Sequence, residues 1–237
     1  MKTISLSICA CFLLVGVTFA QKPNALSNKE KKDGWVLLFD GKSTKGWHTF
    51  QKDKAAAAWA VQDGALVFNP AADKTERGDL VTDQEYENYD LIIEWKISDG
   101  GNSGVIFGIN EDPKYHATYE TGIEMQVLDN INAGDRFIPD HLAGSLYDLI
   151  GGPEVSKPKA VGEWNEARIL NKDGQITLWL NGVQTATVAK GSEEWKKLIA
   201  ESKFNGWEGF AKYSKGKIAL QDHGNIVSFR NIKIKQL

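Results

Sequence analysis

The chain has 237 residues, with 28 basic and 31 acidic side chains, a formal charge of −3, eight tryptophans and 23 glycines. No Lys/Arg-rich tract supplies the electrostatic footprint of a nucleic-acid binder. Both cysteines, Cys9 and Cys11, lie in the first twenty residues, so beyond them there is no disulfide, thiol nucleophile or cysteine-ligated metal centre.

In chain order, "MKTISLSICACFLLVGVTFA" carries Lys2, an apolar run from Ile8 to Val17, and small residues at Thr18 and Ala20. That is the pattern of a cleaved export signal over residues 1–20, pointing to a periplasmic or extracellular protein. The apolar run is short for a membrane span. Residues 21–33 are polar and read as a short helix or a tether. From Gly34 to Leu237 the texture is β and reads as one domain.

"WVLLFDGKSTKGWHTF" gives strand, turn and strand, and "AWAVQDGALVF" a hairpin closed at Asp63-Gly64. "DLVTDQEYENYDLIIEWKIS" ends in a long strand with Leu91, Ile93, Trp95 and Ile97 on one face. Ile92, Glu94, Lys96 and Ser98 take the other. "SGVIFGI" is a strand, and so is the centre of "YETGIEMQVLDN", where Ile123, Met125 and Val127 oppose Glu124 and Gln126. A loop of about fifteen residues follows through Asp135, Pro139 and His141, long enough to suggest a functional segment. "SLYDLI" reads as a short strand, and "GEWNEARILNKDGQITLWLNGVQTATV" as a three-strand meander. "SEEWKKLIAES" is the one convincing helix, capped by Ser192. "KIALQDHG" and "NIVSFRNIKIKQL" complete the sheets, with a local irregularity at Asn231. The expected fold is all-β: two antiparallel sheets packed as a sandwich, with one short helix.

Outward strand residues are usually polar because they meet water, and that reading suffices for Glu124 and Gln126 viewed alone. Other polar clusters weaken it. Glu94 lies on a polar strand face, Asn102 and Ser103 at a strand entrance, His141, Tyr147 and Asp148 beside a glycine, and Asp222 with His223 before Gly224. Amides and carboxylates pair with hydroxyls, while imidazole and carboxylate move protons, so the set suits a carbohydrate. The candidate catalytic residues are Glu124, His223 and His141. The candidate substrate contacts are Gln126, Asn102, Glu94, Tyr147, Asp222 and Trp207, with Asp222 read as orienting His223. A divalent metal ion would be held by Glu124 with His141 or His223. Trp35, Trp47, Trp95 and Trp179 read as core; Trp164 and Trp207 lie beside turns and divide evenly between packing and sugar stacking. G-x-S-x-G, H-E-x-x-H and P-loop patterns are missing.

The ordered motifs "GWVLLFDGKSTKGW", "WAVQDGALV", "GNSGVIFGI", "YETGIEMQVLDN", "GSLYDLI", "GEWNEARI", "LWLNG" and "IALQDHGNIVSFRNIKI" resemble the 3-keto-disaccharide hydrolase domain family over Gly34 to Leu237. The resemblance implies a concanavalin A-like, laminarinase-like jelly roll, and cleavage at C1 of glycosides oxidised at C3. Laminarinase-type enzymes carry Glu-x-Asp-x-x-Glu on one strand; this chain has Glu124-x-Gln126-x-x-Asp129. A glutamine cannot act as a carboxylate, which argues against two-carboxylate displacement. A 3-keto sugar permits another route: a base removes the acidified C2 proton, the enolate expels the C1 substituent, and water adds. That route needs a base, an enolate stabiliser such as a divalent cation, and an acid at the leaving oxygen. The alternatives are an ordinary glycoside hydrolase using Glu124 with Asp129 or Glu94, and a non-catalytic carbohydrate-binding module.

Overall fold

Two antiparallel sheets face each other across a single apolar layer. The structure is a computed structural model and describes residues 22–237; the export-signal reading of residues 1–20 lies outside the described residues. The strands are β1 (Val36–Leu37), β2 (Trp47–Thr49), β3 (Trp59–Gln62), β4 (Ala65–Phe68), β5 (Leu80–Thr82), β6 (Tyr89–Ile97) and β7 (Asn102–Ile109). They continue with β8 (Ile123–Leu128), β9 (Asn165–Lys172), β10 (Gln175–Leu180), β11 (Val183–Ala189), β12 (Lys217–Leu220) and β13 (Val227–Gln236). The larger, eight-stranded sheet runs β11-β10-β9-β6-β13-β4-β3, with β1 also on β13; the five-stranded sheet runs β2-β5-β12-β7-β8.

Alternation places the core. In β6, Leu91, Ile93, Trp95 and Ile97 are buried while Ile92, Glu94 and Lys96 are half-exposed. Across the layer they share one apolar cluster with Val105, Phe107, Ile123, Met125 and Val127 of β7 and β8. Each such burial stabilises by roughly 1.5–3 kcal/mol. The Asp63-Gly64, Asp173-Gly174 and Asn181-Gly182 turns all have positive φ at both residues, the geometry a two-residue hairpin needs. Trp47 and Trp95 are core, as read from the sequence, but Trp35 and Trp179 are only half-buried. Trp179 lies under the Arg168 guanidinium, and Trp164 sits between Lys96 and Arg230.

Three expectations change. "SLYDLI" is not a strand: Leu146 makes isolated bridges to Met125 and Ile150, because Asp148 at φ 59° turns the chain back on itself. Two α-helices are present among the described residues, α2 (Glu193–Glu201) as read and α1 (Asn28–Lys32), which takes the helical one of the two readings given to residues 21–33 and adds to the one helix of the expected fold. Ser27 and Glu30 close a capping box on α1. The stretch before Gly34 is also no free tether. Asn24 and Asn231 exchange backbone-to-side-chain hydrogen bonds, Asn24 Nδ2 donates to the Gly64 carbonyl (2.7 Å), and Lys233 pairs with Glu30. No described helix is long and apolar enough to cross a membrane.

Asn231 is the hinge of this docking. It sits at φ 51° where the β13–β6 register slips between Arg230 and Lys233, a β-bulge. Its backbone N–H donates to Asn24 Oδ1 (2.9 Å) and its Nδ2 to Glu94 Oε1 (2.7 Å). Asn231→Ala removes the side-chain bonds and puts a residue less tolerant of positive φ at the bulge. A loss of about 1–3 kcal/mol is expected in urea unfolding, and an unchanged midpoint would show that the bulge needs no asparagine.

Candidate active site

The site lies on the outer face of the five-stranded sheet. Pairing aligns Val81 of β5, Ala219 of β12, Ile106 of β7 and Glu124 of β8 in one row across that face. The three apolar members are completely buried. The neighbouring row holds Gly104 and Gln126, with the Gln221 backbone N–H donating to the Gly104 carbonyl (3.0 Å). Gln126 and Glu124 project from this face as their alternation predicts, yet both are buried: they are 1% and 8% exposed. The reason is that β8 is a sheet edge closed by its own downstream loop. Gln126 N–H donates to the Ser145 carbonyl, Gly144 N–H to the Gln126 carbonyl, and Tyr147 N–H to the Glu124 carbonyl (2.8–3.0 Å). The loop thereby draws Tyr147 over Glu124 and leaves a cavity of about 130 Å³.

Glu124 forms one wall of this cavity with Gln126, Asn102 and Gln221; Tyr147, Lys203 and His223 close it from the loops. Gly104 makes room for the carboxyl, since a Cβ there would stand 2.0 Å from Glu124 Oε1. Gln221 Nε2 approaches Glu124 Oε2 at 3.4 Å. Burial pushes the Glu124 carboxyl up to about 8; the Lys203 ammonium pulls against this and Asp79 adds to it. Lys203 follows α2, donates its backbone N–H to Asp148 Oδ2 (2.7 Å) and holds its Nζ 4.1 Å from the Tyr147 ring centroid.

The predicted residues separate on this geometry. Glu124, Gln126, Asn102, Tyr147 and His223 share the cavity. His141 stands behind it: its ring stacks on Tyr147 at 4.2 Å, and Nε2 lies 3.1 Å from Asp148 Oδ1. Asp222 does not orient His223. Its carboxylate is taken by Arg77 at 2.8 and 2.6 Å and by the Gly224 N–H at 3.1 Å. Glu94 is on the outer face of the other sheet, paired with Arg230 and Asn231. Trp207 lines an adjoining hollow instead of the Glu124 cavity. Of the two histidines read as partners of Glu124 for a metal, His223 shares its cavity and His141 lies behind Tyr147. His141 converges with Asp140 and Asp148, the one cluster of three or more such ligand groups within 4.8 Å of one another among the described residues. There Asp148 is already bonded to His141 and to the Lys203 backbone, so the cluster serves to brace the loop.

Sequence reading missed Lys203, Gln221, Tyr119 and Asp79. Asp79 has some exposed surface, but protein surrounds its carboxyl. Oδ1 accepts the Asp222 N–H (2.8 Å) and Oδ2 the Thr118 hydroxyl. Burial pushes this carboxyl up to about 6. Asp79 thus ties the turn carrying His223 to the 3₁₀ turn Thr118–Glu120 carrying Tyr119. The one available hint was that Gln221 precedes Asp222 in "LQDHG".

A family model described as a 3-keto-alpha-glucoside-1,2-lyase-like domain matches residues 34–235. A 3-keto-disaccharide hydrolase of Bacteroides thetaiotaomicron is 32% identical over 231 residues, which is 86% of this chain and 79% of the relative. A crystal structure from Parabacteroides distasonis, assigned as a glycosyl hydrolase, is 35% identical with a TM-score of 0.81 over 91% of this chain and all of the other. A second structure from that organism with the same assignment is 27% identical, with a TM-score of 0.63 over 86% and 99% of the two chains. A Bacillus subtilis protein with a galectin-like fold is 13% identical, with a TM-score of 0.52 over 91% and 94% of the two chains, and shares the fold alone.

The raised Glu124 pKa is a linkage statement. The carboxyl holds its proton more tightly in the folded chain (about 8) than at its ordinary value of 4.5, so the folded state loses stability as pH rises between those values. Glu124→Gln keeps the shape and cannot ionise. Its melting temperature relative to the parent is expected to rise from about pH 4 to about pH 9, and a constant difference would show an ordinary carboxyl.

Proposed function

We propose that this chain, which belongs to the 3-keto-alpha-glucoside-1,2-lyase-like domain family and is a carbohydrate-active enzyme, cleaves 3-keto-glycosides at C1 by elimination followed by hydration. The observation that carries the reading is a buried carboxyl, held protonated up to about 8, sharing one cavity with an imidazole and an ammonium group.

In this reading the C3 ketone acidifies C2–H, and the His223 imidazole takes that proton. The C2–H electron pair moves into the C2–C3 enolate, whose oxygen faces the Lys203 ammonium. Re-forming the ketone shifts the pair into a C1–C2 double bond and breaks the C1–O bond. Glu124 donates its proton to the departing oxygen. Water then adds at C1, the Glu124 carboxylate takes the water proton, and His223 returns its proton to C2. The sum is hydrolysis, with both residues restored. Asn102, Gln126, Gln221 and Tyr147 supply donors and acceptors for the sugar hydroxyls.

Two-carboxylate displacement fits less well. Asp129 is occupied by the N–H groups of Gly100 and Ile131, at 2.8 and 2.9 Å, and Glu94 belongs to the other sheet. A binding module needs no proton-transfer groups, whereas this cavity gathers a carboxyl raised to about 8, an imidazole and an ammonium group. Removal of residues 1–20 as an export signal belongs to the same reading; the exported protein is expected to begin at Gln21, which N-terminal sequencing checks.

The test is a comparison of a 3-keto-glucoside with its unoxidised parent. Aglycone release is expected from the keto substrate alone, and a comparable rate from the parent overturns the reading. Glu124→Gln and His223→Ala should each lower kcat by about 10²–10⁴-fold. Because Glu124 acts in its protonated form, kcat should fall as pH rises through about 8. A rate that climbs through that range would make Glu124 the base.

A further inference from the structure

The outer face of the eight-stranded sheet carries a hollow of about 460 Å³ that the chemistry at Glu124 does not use. Strand pairing sets its floor. Val67 of β4, Ser228 of β13 and Lys96 of β6 stand side by side, alternating with the core residues of their strands. Val161 and Trp164, before β9, and Ile226, before β13, complete the lining. Ser228 is only 8% exposed, yet its hydroxyl makes no hydrogen bond among the described residues. The Ser98 hydroxyl, the Gln62 amide and the Trp164 indole N–H belong to the same lining and make none either. Buried polar groups are normally paired, so four unclaimed groups around one hollow mark a place for a ligand. Lys96 and Arg230 both approach the Trp164 ring, with Nζ at 4.9 Å and Cζ at 4.1 Å from its centroid. Glu94 takes the Arg230 Nε (2.7 Å), but neither Nη of Arg230 is hydrogen-bonded, and Lys96 has no ion-pair partner among the described residues.

Two cations with open N–H donors at one end of the hollow suit a carboxylate. The other end is different. Asp63, at the β3–β4 turn, lies three strands across the sheet from Lys96 and accepts hydroxyl protons, as does Gln62 beside it. Between the ends lie Ser228 and apolar surface from Val67, Val161 and Ile226. We propose that this hollow is a non-catalytic site for an acidic sugar, a hexuronate unit of a glycan. The carboxylate meets Lys96 and Arg230, the hydroxyls meet Ser228, Gln62 and Asp63, and the C–H groups lie against the apolar residues. A neutral sugar leaves the cations unmatched, and an aromatic acid leaves the hydroxyl partners unmatched. The sandwich separates this hollow from the Glu124 cavity, so both are filled independently, and the proposal does not rest on the reaction read above.

The test titrates glucuronate, glucose, acetate and benzoate at constant ionic strength, following the Trp164 indole NMR signal identified with Trp164→Phe. Glucuronate is expected to give a saturable shift, with affinity at least tenfold above each of the other three. Lys96→Met should weaken glucuronate about tenfold and Ser228→Ala about threefold, while Glu124→Gln, in the other sheet, should leave the titration unchanged. An unmoved signal overturns the site. Equal binding of glucose overturns its acidic preference, and equal binding of acetate or benzoate overturns the sugar. Undiminished binding by both the Lys96→Met and Ser228→Ala proteins places the ligand elsewhere and also overturns the proposal. The readout needs no turnover, so it stands whether or not the 3-keto-glycoside is cleaved.

Discussion

A carboxyl group is costly to bury, and Glu124 is buried because the edge of its strand is closed by the loop that follows it. Backbone hydrogen bonds from residues 144–147 extend the five-stranded sheet beyond β8 and lay Tyr147 over the carboxyl. The same contacts remove an exposed sheet edge, which is a liability in any β protein. They convert a strand face into a recessed cavity in which burial raises the Glu124 carboxyl to about 8. The cavity, the shifted pKa and the position of Lys203 all follow from that closure.

Around it, polar groups act as braces more than as reagents. Asp148 accepts the left-handed backbone region and in return fastens both His141 and the Lys203 amide. Asp79 fastens the Asp222 amide and the Thr118 hydroxyl, so one carboxyl sets the spacing of the walls that carry His223 and Tyr119. Asp222 in turn anchors Arg77. The functional groups thus sit on turns that are individually short and collectively over-determined, which is how a sheet edge can hold a defined geometry.

Periodicity was a good guide to faces and a poor one to partners. The alternation of β6 and β8 correctly separates Trp95 from Glu94 and Met125 from Glu124. It cannot say that the outer faces of the two strands belong to different sheets, so Glu94 looked like a companion of Glu124 when the sandwich lies between them. His141 and His223 were equivalent by chemistry; only the fold puts one in the cavity and the other behind Tyr147. Asp222 looked like an orienting acid because it is adjacent to His223, but neighbours along a turn often point apart, and Arg77, 145 positions away in sequence, claims it.

The sequence by itself determined the all-β class, the hairpin turns, the capped α2, the irregularity at Asn231 and the identity of Glu124 and Gln126 as a paired outward face. All of these depend on local geometry: the two-residue period of a strand, the φ demands of a turn, the caps of a helix. Tertiary structure alone decided which polar faces share a cavity, that Lys203 and Asp79 tune Glu124, and that the loop after β8 buries it. Those outcomes rest on contacts between residues far apart in the chain, and on a dielectric environment that arises only once the sheet edge is closed.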